Sequence, residues 1–187
     1  MEDVFNALPV LETNRLKLRK ITLEDAEDMY YYCSNEEVPK YASWNPYKTI
    51  TETKEAIERV LIQWNNKSLV HWGIEYKENS RLIGTIEFAT WDRQHKIAEI
   101  GYALSPDYWG KGIATEAVRK VIKFGFTNMD LVRIQAKCYL ENIGSARVME
   151  KAEMSLEGII RKGLFIKGRH QDLKMYSILK DEFQSIC

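Results

Sequence analysis

Two glycines one residue apart stand between a predicted strand and a predicted helix. The segment reads Leu104-Ser-Pro-Asp-Tyr-Trp-Gly110-Lys-Gly112-Ile-Ala-Thr-Glu. Glycine tolerates positive φ, so several backbone N–H groups can point at one spot, and the first N–H groups of a helix have no helical acceptor. A diphosphate placed there would gain charge-assisted hydrogen bonds of about 1.5–3 kcal/mol each, plus about 0.3–1 kcal/mol from the helix dipole. The segment therefore predicts an anion site.

Other interpretations of these glycines remain open at the level of sequence. A lone Gly-x-Gly is also typical of an ordinary tight loop. A Walker loop requires a GxxxxGK run followed by Ser or Thr, which is absent, and the dinucleotide fingerprint requires a third glycine where Thr115 stands. The prediction of an anion site thus depends on a strand, a glycine loop and a helix following one another.

Hydrophobic periodicity predicts the elements that position this segment. The run 15–19 alternates apolar and polar residues and predicts a strand, and helices are predicted after Thr22 and after Thr49, the latter with a capping box completed by Glu52. Further strands are predicted at 70–76, 82–91, 96–104, 133–140, 156–166 and 172–179, and further helices from 113 and at 143–152. This order predicts a mixed α+β fold, a central sheet with helices on both faces.

Composition limits the class of protein. A chain of 187 residues with 45% hydrophobic and 29% charged residues is expected to fold as one domain spanning 1–187. No apolar run approaches the roughly 18 residues that cross a bilayer, and the start lacks the basic region of a signal peptide, so no membrane partner is expected. A net charge of zero argues against direct binding of nucleic acid.

The cysteines and histidines indicate neither a disulfide framework nor a metal site. Cys33, Cys138 and Cys187 are far apart and odd in number, which predicts reduced thiols and a cytoplasmic protein. The three histidines, at 71, 95 and 170, have no carboxylate or cysteine at ligand spacing. No metal is therefore expected.

The glycine segment resembles the signature of the GNAT superfamily, which is Arg or Gln, two residues, Gly, one residue, then Gly or Ala. Here Trp109 stands at the Arg/Gln position and Gly112 and Ala114 follow in place. Trp109 makes the chain similar to the RimJ/RimL-like branch, which acetylates the N-termini of ribosomal proteins. Matches to that branch extend over nearly the whole chain, at Thr13–Arg19, Ala98–Tyr102 and Glu141–Ser145.

The resemblance implies the GNAT fold, with a mostly antiparallel, seven-stranded sheet splayed between its fourth and fifth strands. Acetyl-CoA would lie in that V-shaped opening, where its peptide-like pantetheine can satisfy unpaired backbone groups. The implied contacts of pantetheine are Tyr102, Ala103, Leu104, Asn142 and Ser145. Those of the pyrophosphate segment are Trp109, Gly110, Lys111, Gly112, Ile113, Ala114 and Thr115. Asn142 is also predicted to cap the helix at 143–152.

Amine acetylation needs a neutral nucleophile and a proton for the leaving thiolate. The resemblance implies Glu99 as the base, acting through a water, with Glu87 on the neighbouring strand in reserve. A solvated Glu99 paired with Lys96 or Arg93 is the alternative. Many relatives use a tyrosine acid seven residues after the asparagine, but Met149 stands there. Ser145 is carried over as a proton relay, and an ordinary first-turn serine is the alternative.

The acceptor is the least determined part of the function. Tyr41 and Trp44, in an aromatic-rich loop, are predicted with Glu87 to line the acceptor site, and an ordinary aromatic cluster is equally compatible with the loop. The resemblance implies acetyl transfer to a primary amine, with a ribosomal protein N-terminus favoured. The alternatives are a small-molecule amine acetyltransferase and a non-catalytic CoA-binding sensor or interaction module. Monomer and homodimer both remain open.

Overall fold

A computed structural model of the protein describes residues 4–5 and 7–186, which contain one eight-stranded sheet. The strands are β1 (Leu11–Glu12), β2 (Leu16–Arg19), β3 (Val70–Tyr76), β4 (Arg81–Asp92), β5 (Ile97–Leu104), β6 (Arg133–Tyr139), β7 (Ser155–Ile166) and β8 (Arg169–Leu179). The helices are α1 (Ala26–Cys33), α2 (Ile50–Asn65), α3 (Ile113–Asn128), α4 (Ile143–Lys151) and α5 (Lys180–Ile186). The predicted mixed α+β class is confirmed. The sheet has one strand more than predicted, because the two-residue β1 pairs with β2.

The sheet is antiparallel except at one junction. Its strand order is β1-β2-β3-β4-β5-β6-β8-β7, and only β5 and β6 run parallel. The chain reaches β6 from β5 through α3, the crossover helix that a parallel pair requires. The order therefore places the glycine loop at the end of β5, directly before α3.

Successive side chains along each strand point to opposite faces of the sheet, so the buried apolar residues form one core on each face. On β4, Leu82 belongs to the smaller core beneath α1 and α2, whereas its neighbour Ile83 belongs to the larger core with α3 and α4. Tyr32 and Ile57 bring α1 and α2 into the smaller core, and both are almost fully buried. Helices on both faces were predicted, and the structure confirms them.

Helix α2 begins where its capping signal predicts. Thr49 Oγ1 accepts a hydrogen bond from Glu52 N at 3.2 Å. The Glu52 carboxylate accepts from Lys48 N at 2.8 Å, one residue earlier than a standard capping box requires. Among the described residues, no helix is both long and apolar enough to span a bilayer.

Glu116, in the first turn of α3, ties that helix to the beginning of the chain. Its carboxylate accepts hydrogen bonds from Thr13 Oγ1 at 2.5 Å, Arg15 N at 3.1 Å and Arg15 Nε at 2.7 Å. Arg15 Nη1 also donates to Lys111 O at 2.9 Å, within the glycine loop. Burial alone would raise the pKa of Glu116, but the hydrogen bonds from Thr13 and Arg15 outweigh it and the pKa is lowered. The start of α3 is thus held against the residues before β2.

We expect Glu116→Gln to lower the free energy of unfolding at pH 7 by about 1–2 kcal/mol, because it removes an ion pair and weakens charge-assisted hydrogen bonds. A carboxylate whose pKa is lowered by folding stabilises the protein above its ordinary pKa of 4.5 and loses that contribution as pH falls. The variant should therefore lose stability less steeply below pH 4.5 than the parent does. Urea unfolding across pH measures both effects.

Glu153→Gln is the matched control for this experiment. Glu153 pairs with Arg119 at 3.1 Å on the surface, where both side chains are exposed, and such pairs contribute about 0–1 kcal/mol. Equal losses in the two variants would contradict a special role for the Glu116 tie.

Candidate active site

The sheet opens between β5 and β6. The two strands pair only through Ile97–Glu99 and Arg133–Gln135. Beyond Glu99, β5 pairs with β4 alone as far as Leu104, and β6 pairs with β8 alone as far as Tyr139. Each strand therefore turns one backbone edge toward the gap. This is the predicted splay, and Tyr102, Ala103 and Leu104 line the β5 side of it.

The glycine loop has the backbone conformation that its sequence predicts. Gly110 and Gly112 adopt φ of 72° and 74°, in the left-handed region that side chains disfavour. Gly112 caps α3, and the first helical hydrogen bond runs from Glu116 N to Gly112 O at 3.0 Å. The N–H groups of residues 113–115, which are Ile113, Ala114 and Thr115, consequently have no helical acceptor. The arrangement fits a diphosphate, with donors from backbone alone.

Trp109 fastens the loop to the strand that precedes it. Its Nε1 donates to Leu104 O at 2.8 Å, while the side chain remains 47% exposed. Lys111 Nζ lies 5.5 Å from the centre of the Tyr108 ring. Trp109 thus stabilises the loop from within, by a contact that its sequence position did not predict.

Two hydroxyl groups meet beside the opening on the α4 side. Tyr102 Oη and Ser145 Oγ lie 2.7 Å apart, and either can donate. Asn142 Oδ1 accepts from Ser145 N at 3.0 Å, so the predicted helix cap is confirmed. Burial raises the pKa of Tyr102 well above its ordinary value of 10, which keeps its hydroxyl protonated at neutral pH. Met149, at the position where the family resemblance implied a tyrosine acid, is fully buried.

Glu99 lies at the apex of the opening, where two side chains of β6 contact its carboxylate. Its Oε2 is 2.7 Å from Lys137 Nζ and accepts from Gln135 Nε2 at 3.1 Å. The partners considered from sequence, Lys96 and Arg93, are wrong: Lys96 pairs with Asp130 at 2.6 Å, and the Arg93 guanidinium lies 4.4 Å from the centre of the Trp91 ring.

A second carboxylate, Glu87, lies on the same face one strand away. Its Oε2 is 2.7 Å from His71 Nδ1. The Glu87 side chain is 31% exposed, whereas that of His71 is 7% exposed. Glu99 and Glu87 therefore face the same side of the sheet in different environments, one beside a lysine and the other beside an imidazole.

The two aromatic residues predicted at the acceptor side occupy different places. Tyr41 packs edge-on against Tyr139 at the end of β6, with ring centres 5.8 Å apart. Trp44 packs against Tyr47, at 5.3 Å, beside the core under α1 and α2. Tyr41 thus lies by the open end of the sheet. Trp44 instead belongs to an ordinary aromatic cluster, which was the alternative to a role in lining the acceptor site.

Two contacts of this site could not be read from the sequence, the pairing of His71 with Glu87 and that of Lys137 with Glu99. Each joins residues on different strands, and strand register is the signal that reveals them. The sequence also did not indicate that the Tyr139 hydroxyl is buried without a hydrogen-bond partner in the described part of the chain. Over the described residues, no group of three His, Cys, Asp or Glu side chains could hold a metal ion.

Known sequences similar to this chain are acetyltransferases of one family or carry acetyltransferase names. The family profile described as "Acetyltransferase (GNAT) domain" matches residues 15–155. YoaA of Bacillus subtilis, named as an uncharacterized N-acetyltransferase, is 37% identical over 92% of this chain and 97% of its own length. YdaF of the same organism, whose name marks it as a candidate ribosomal N-acetyltransferase, is 33% identical over 75% of each chain. The spermidine N(1)-acetyltransferase of Escherichia coli is 24% identical over 90% of this chain and 88% of its own.

Solved structures agree in fold. A GNAT-family acetyltransferase from Bacillus anthracis superposes with a TM-score of 0.81 at 31% identity, covering 93% of this chain and all of that one. The microcin C7 self-immunity acetyltransferase MccE, crystallised with acetyl-CoA and AMP, has a TM-score of 0.81 at 27% identity, covering 89% of this chain and 93% of its own.

We expect Gly112→Val to weaken acetyl-CoA binding at least tenfold, because a β-branched residue cannot hold φ near 74° without moving the N–H groups of the loop. Gly168→Val is the control, since Gly168 has a φ of 77° in the β7–β8 turn, away from the loop. Isothermal titration with acetyl-CoA and thermal melting compare the two variants. Retained affinity in Gly112→Val, or equal loss in both, would contradict the loop assignment.

Proposed function

The chain belongs to the GNAT acetyltransferase family, and from that premise we propose that it transfers the acetyl group of acetyl-CoA to the α-amine of a protein N-terminus. Family membership establishes an N-acetyltransferase that uses acetyl-CoA as its donor. It favours an enzyme over the non-catalytic CoA-binding module considered above. The proposal concerns the RimJ/RimL-like branch, the acceptor and the residues that carry the reaction, in one domain over 1–187.

The gap between β5 and β6 is the observation that carries this proposal. It leaves the β5 edge from Tyr102 to Leu104 free for a peptide-like chain, with the amides of 113–115 positioned for a diphosphate beyond it. Tyr102, Ser145 and the loop lie at one side of the opening, and Glu99 and Glu87 face the other. Donor and acceptor can thus approach one another through the sheet.

The reaction replaces the thioester C–S bond by an amide C–N bond. Protons must leave the attacking nitrogen, and a proton must reach the leaving sulfur. Glu99 takes a proton from the acceptor ammonium through a water, so that a neutral amine can attack the acetyl carbonyl carbon. As the C–N bond forms and the C–S bond breaks, Ser145 passes a proton to the leaving sulfur. Tyr102, hydrogen-bonded to Ser145 at 2.7 Å and itself protonated, can supply that proton to Ser145. The attacking nitrogen loses its second proton to solvent, solvent returns a proton to Tyr102, and Glu99 releases the proton that it took. The net products are the amide, the free thiol of CoA and one proton.

The basicity of the acceptor favours an α-amine. A group of pKa about 7.8 is roughly 14% neutral at pH 7, whereas a lysine of pKa about 10.4 is about 0.04% neutral. The difference corresponds to about 3.5 kcal/mol. A modest base therefore suffices for an N-terminus.

A small polyamine is the second candidate acceptor. Two carboxylates face the acceptor side, and although Lys137 offsets the charge of one, acidic groups there suit a substrate with several amines. The likeness to a spermidine acetyltransferase agrees with this alternative. The cytoplasmic location predicted from the cysteines is common to both candidates and stays a prediction.

We expect acetyl-CoA-dependent thiol release to be fastest with short peptides that begin with a free amine, such as serine-initiated ribosomal-protein sequences. The assay compares these peptides with the same peptides acetylated at the N-terminus, with spermidine, and with free lysine. Mass spectrometry then locates the added 42 Da, the mass of an acetyl group in place of hydrogen. Turnover with spermidine alone would replace the proposed acceptor by the second candidate.

We expect Glu99→Gln to lower kcat near pH 7 by about 10²-fold, because positioned bases contribute about 10²–10⁴-fold. The affinity for acetyl-CoA should stay unchanged. Glu157→Gln is the control, since Glu157 is likewise paired with a basic β6 side chain, Arg133, at 2.5 Å. Unchanged turnover in Glu99→Gln would remove Glu99 from the mechanism.

A further inference from the structure

His71, Glu87 and Gly101 form one row across three neighbouring strands. In register, His71 on β3 is paired with Glu87 on β4, and Glu87 is paired with Gly101 on β5. Directly paired residues project to the same face of a sheet. Because β5 leaves β6 after Glu99, Gly101 is the first residue on this face beyond the apex of the opening. The row therefore ends at the gap.

The contact between His71 and Glu87 is a hydrogen bond from a buried ring. His71 is 8% exposed, and its Nε2 has no hydrogen-bond partner within the described residues. A proton on Nε2 would be a buried donor without an acceptor, which is costly. The Nδ1 proton is the one that has an acceptor, and it is donated to Glu87 Oε2 over 2.7 Å.

The other carboxylate oxygen of Glu87 lies beside Gly101. A Cβ on Gly101 would lie 3.2 Å from Glu87 Oε1 and 3.5 Å from its Cγ. The absence of a side chain at 101 thus leaves the room in which this carboxylate lies. Oε1 is held over the end of the row, where a group entering the gap from this face would meet it.

The charge of Glu87 is available to such a group, in contrast to that of Glu99. Lys137 Nζ, 2.7 Å from Glu99, offsets the charge at the apex. Glu87 is hydrogen-bonded to an imidazole and not, as Glu99 is, paired with a lysine ammonium, so that contact brings no permanently cationic side chain to it. A cationic acceptor would therefore be attracted to Glu87 first.

We propose that Glu87 binds the ammonium group of the acceptor and that His71 is a positioning residue, which holds the Glu87 carboxylate over Gly101 for that purpose. The inference rests on the proposed amine acetyltransferase function and adds to it the group that recognises the incoming cation. It assigns His71, on a strand that does not border the gap, a role in acceptor affinity. Neither the sequence spacing nor the position of His71 in the chain indicates that role.

Replacing His71 by valine and by asparagine tests the positioning role. Valine removes the donor, whereas the asparagine amide can donate from near the place of Nδ1. Steady-state thiol release is measured with acetyl-CoA against a serine-initiated peptide and, separately, spermidine. We expect His71→Val to raise the acceptor KM at least tenfold, with kcat and the acetyl-CoA KM within about threefold of the parent, and His71→Asn to keep the acceptor KM within about threefold.

Three outcomes of that comparison would overturn the proposal. The first is an unchanged acceptor KM in folded His71→Val. The second is an equal rise in folded His71→Asn, which would indicate that the ring is needed for packing rather than as a donor. The third is a loss confined to kcat, because the proposed role concerns binding.

Glu87→Gln provides an independent route that does not disturb the buried ring. It keeps an acceptor for Nδ1 but removes the charge, so the acceptor KM should rise at least tenfold. Adding His71→Val to this variant should raise KM less than twofold further, since no charge remains to be positioned. An unchanged KM in Glu87→Gln, or a further tenfold rise in the double variant, would refute the proposal. If the parent protein released no thiol with any amine, the proposed function itself would fail instead.

Discussion

The short parallel pairing of β5 with β6 is the constraint on which the rest of the structure depends. Three residue pairs hold the two halves of the sheet together, and the strands separate beyond them. The separation exposes backbone that would otherwise be buried in a ladder, and exposed backbone requires a partner. The glycine loop and the two hydroxyls lie at one side of this opening, and two carboxylates face the other.

The proposed donor side and the proposed acceptor side are built by different means. The donor side relies on main-chain groups of the glycine loop and of the start of α3, where Gly110 and Gly112 supply the positive φ. The acceptor side relies on side chains, and its two carboxylates differ in what accompanies them, a lysine for Glu99 and an imidazole for Glu87. Backbone recognition suits a diphosphate common to many donors, whereas side chains can be varied with the acceptor.

Local features of the fold were predictable from sequence and long-range contacts were not. The bounds of β3 agree with the prediction, and the glycines have the positive φ expected of them, because both depend on neighbouring residues. The pairing of Glu99 with Lys137 joins residues far apart in the chain and depends on strand register. A single sequence carries little information about register, and for that reason the partners first considered for Glu99 were wrong. The Tyr102 and Ser145 hydroxyls likewise meet only because α4 packs beside β5.

The tie between Arg15 and Glu116 bears on the order in which the protein folds. These residues are 101 positions apart, and between them they hold the beginning of β2, the glycine loop and the start of α3. Closing so long a segment carries a large entropic cost before any contact repays it. During synthesis the loop cannot acquire its final shape until the ribosome has released both ends of this segment. A nascent chain shorter than about 116 residues is therefore expected to lack a formed glycine loop, even when its first strands are complete.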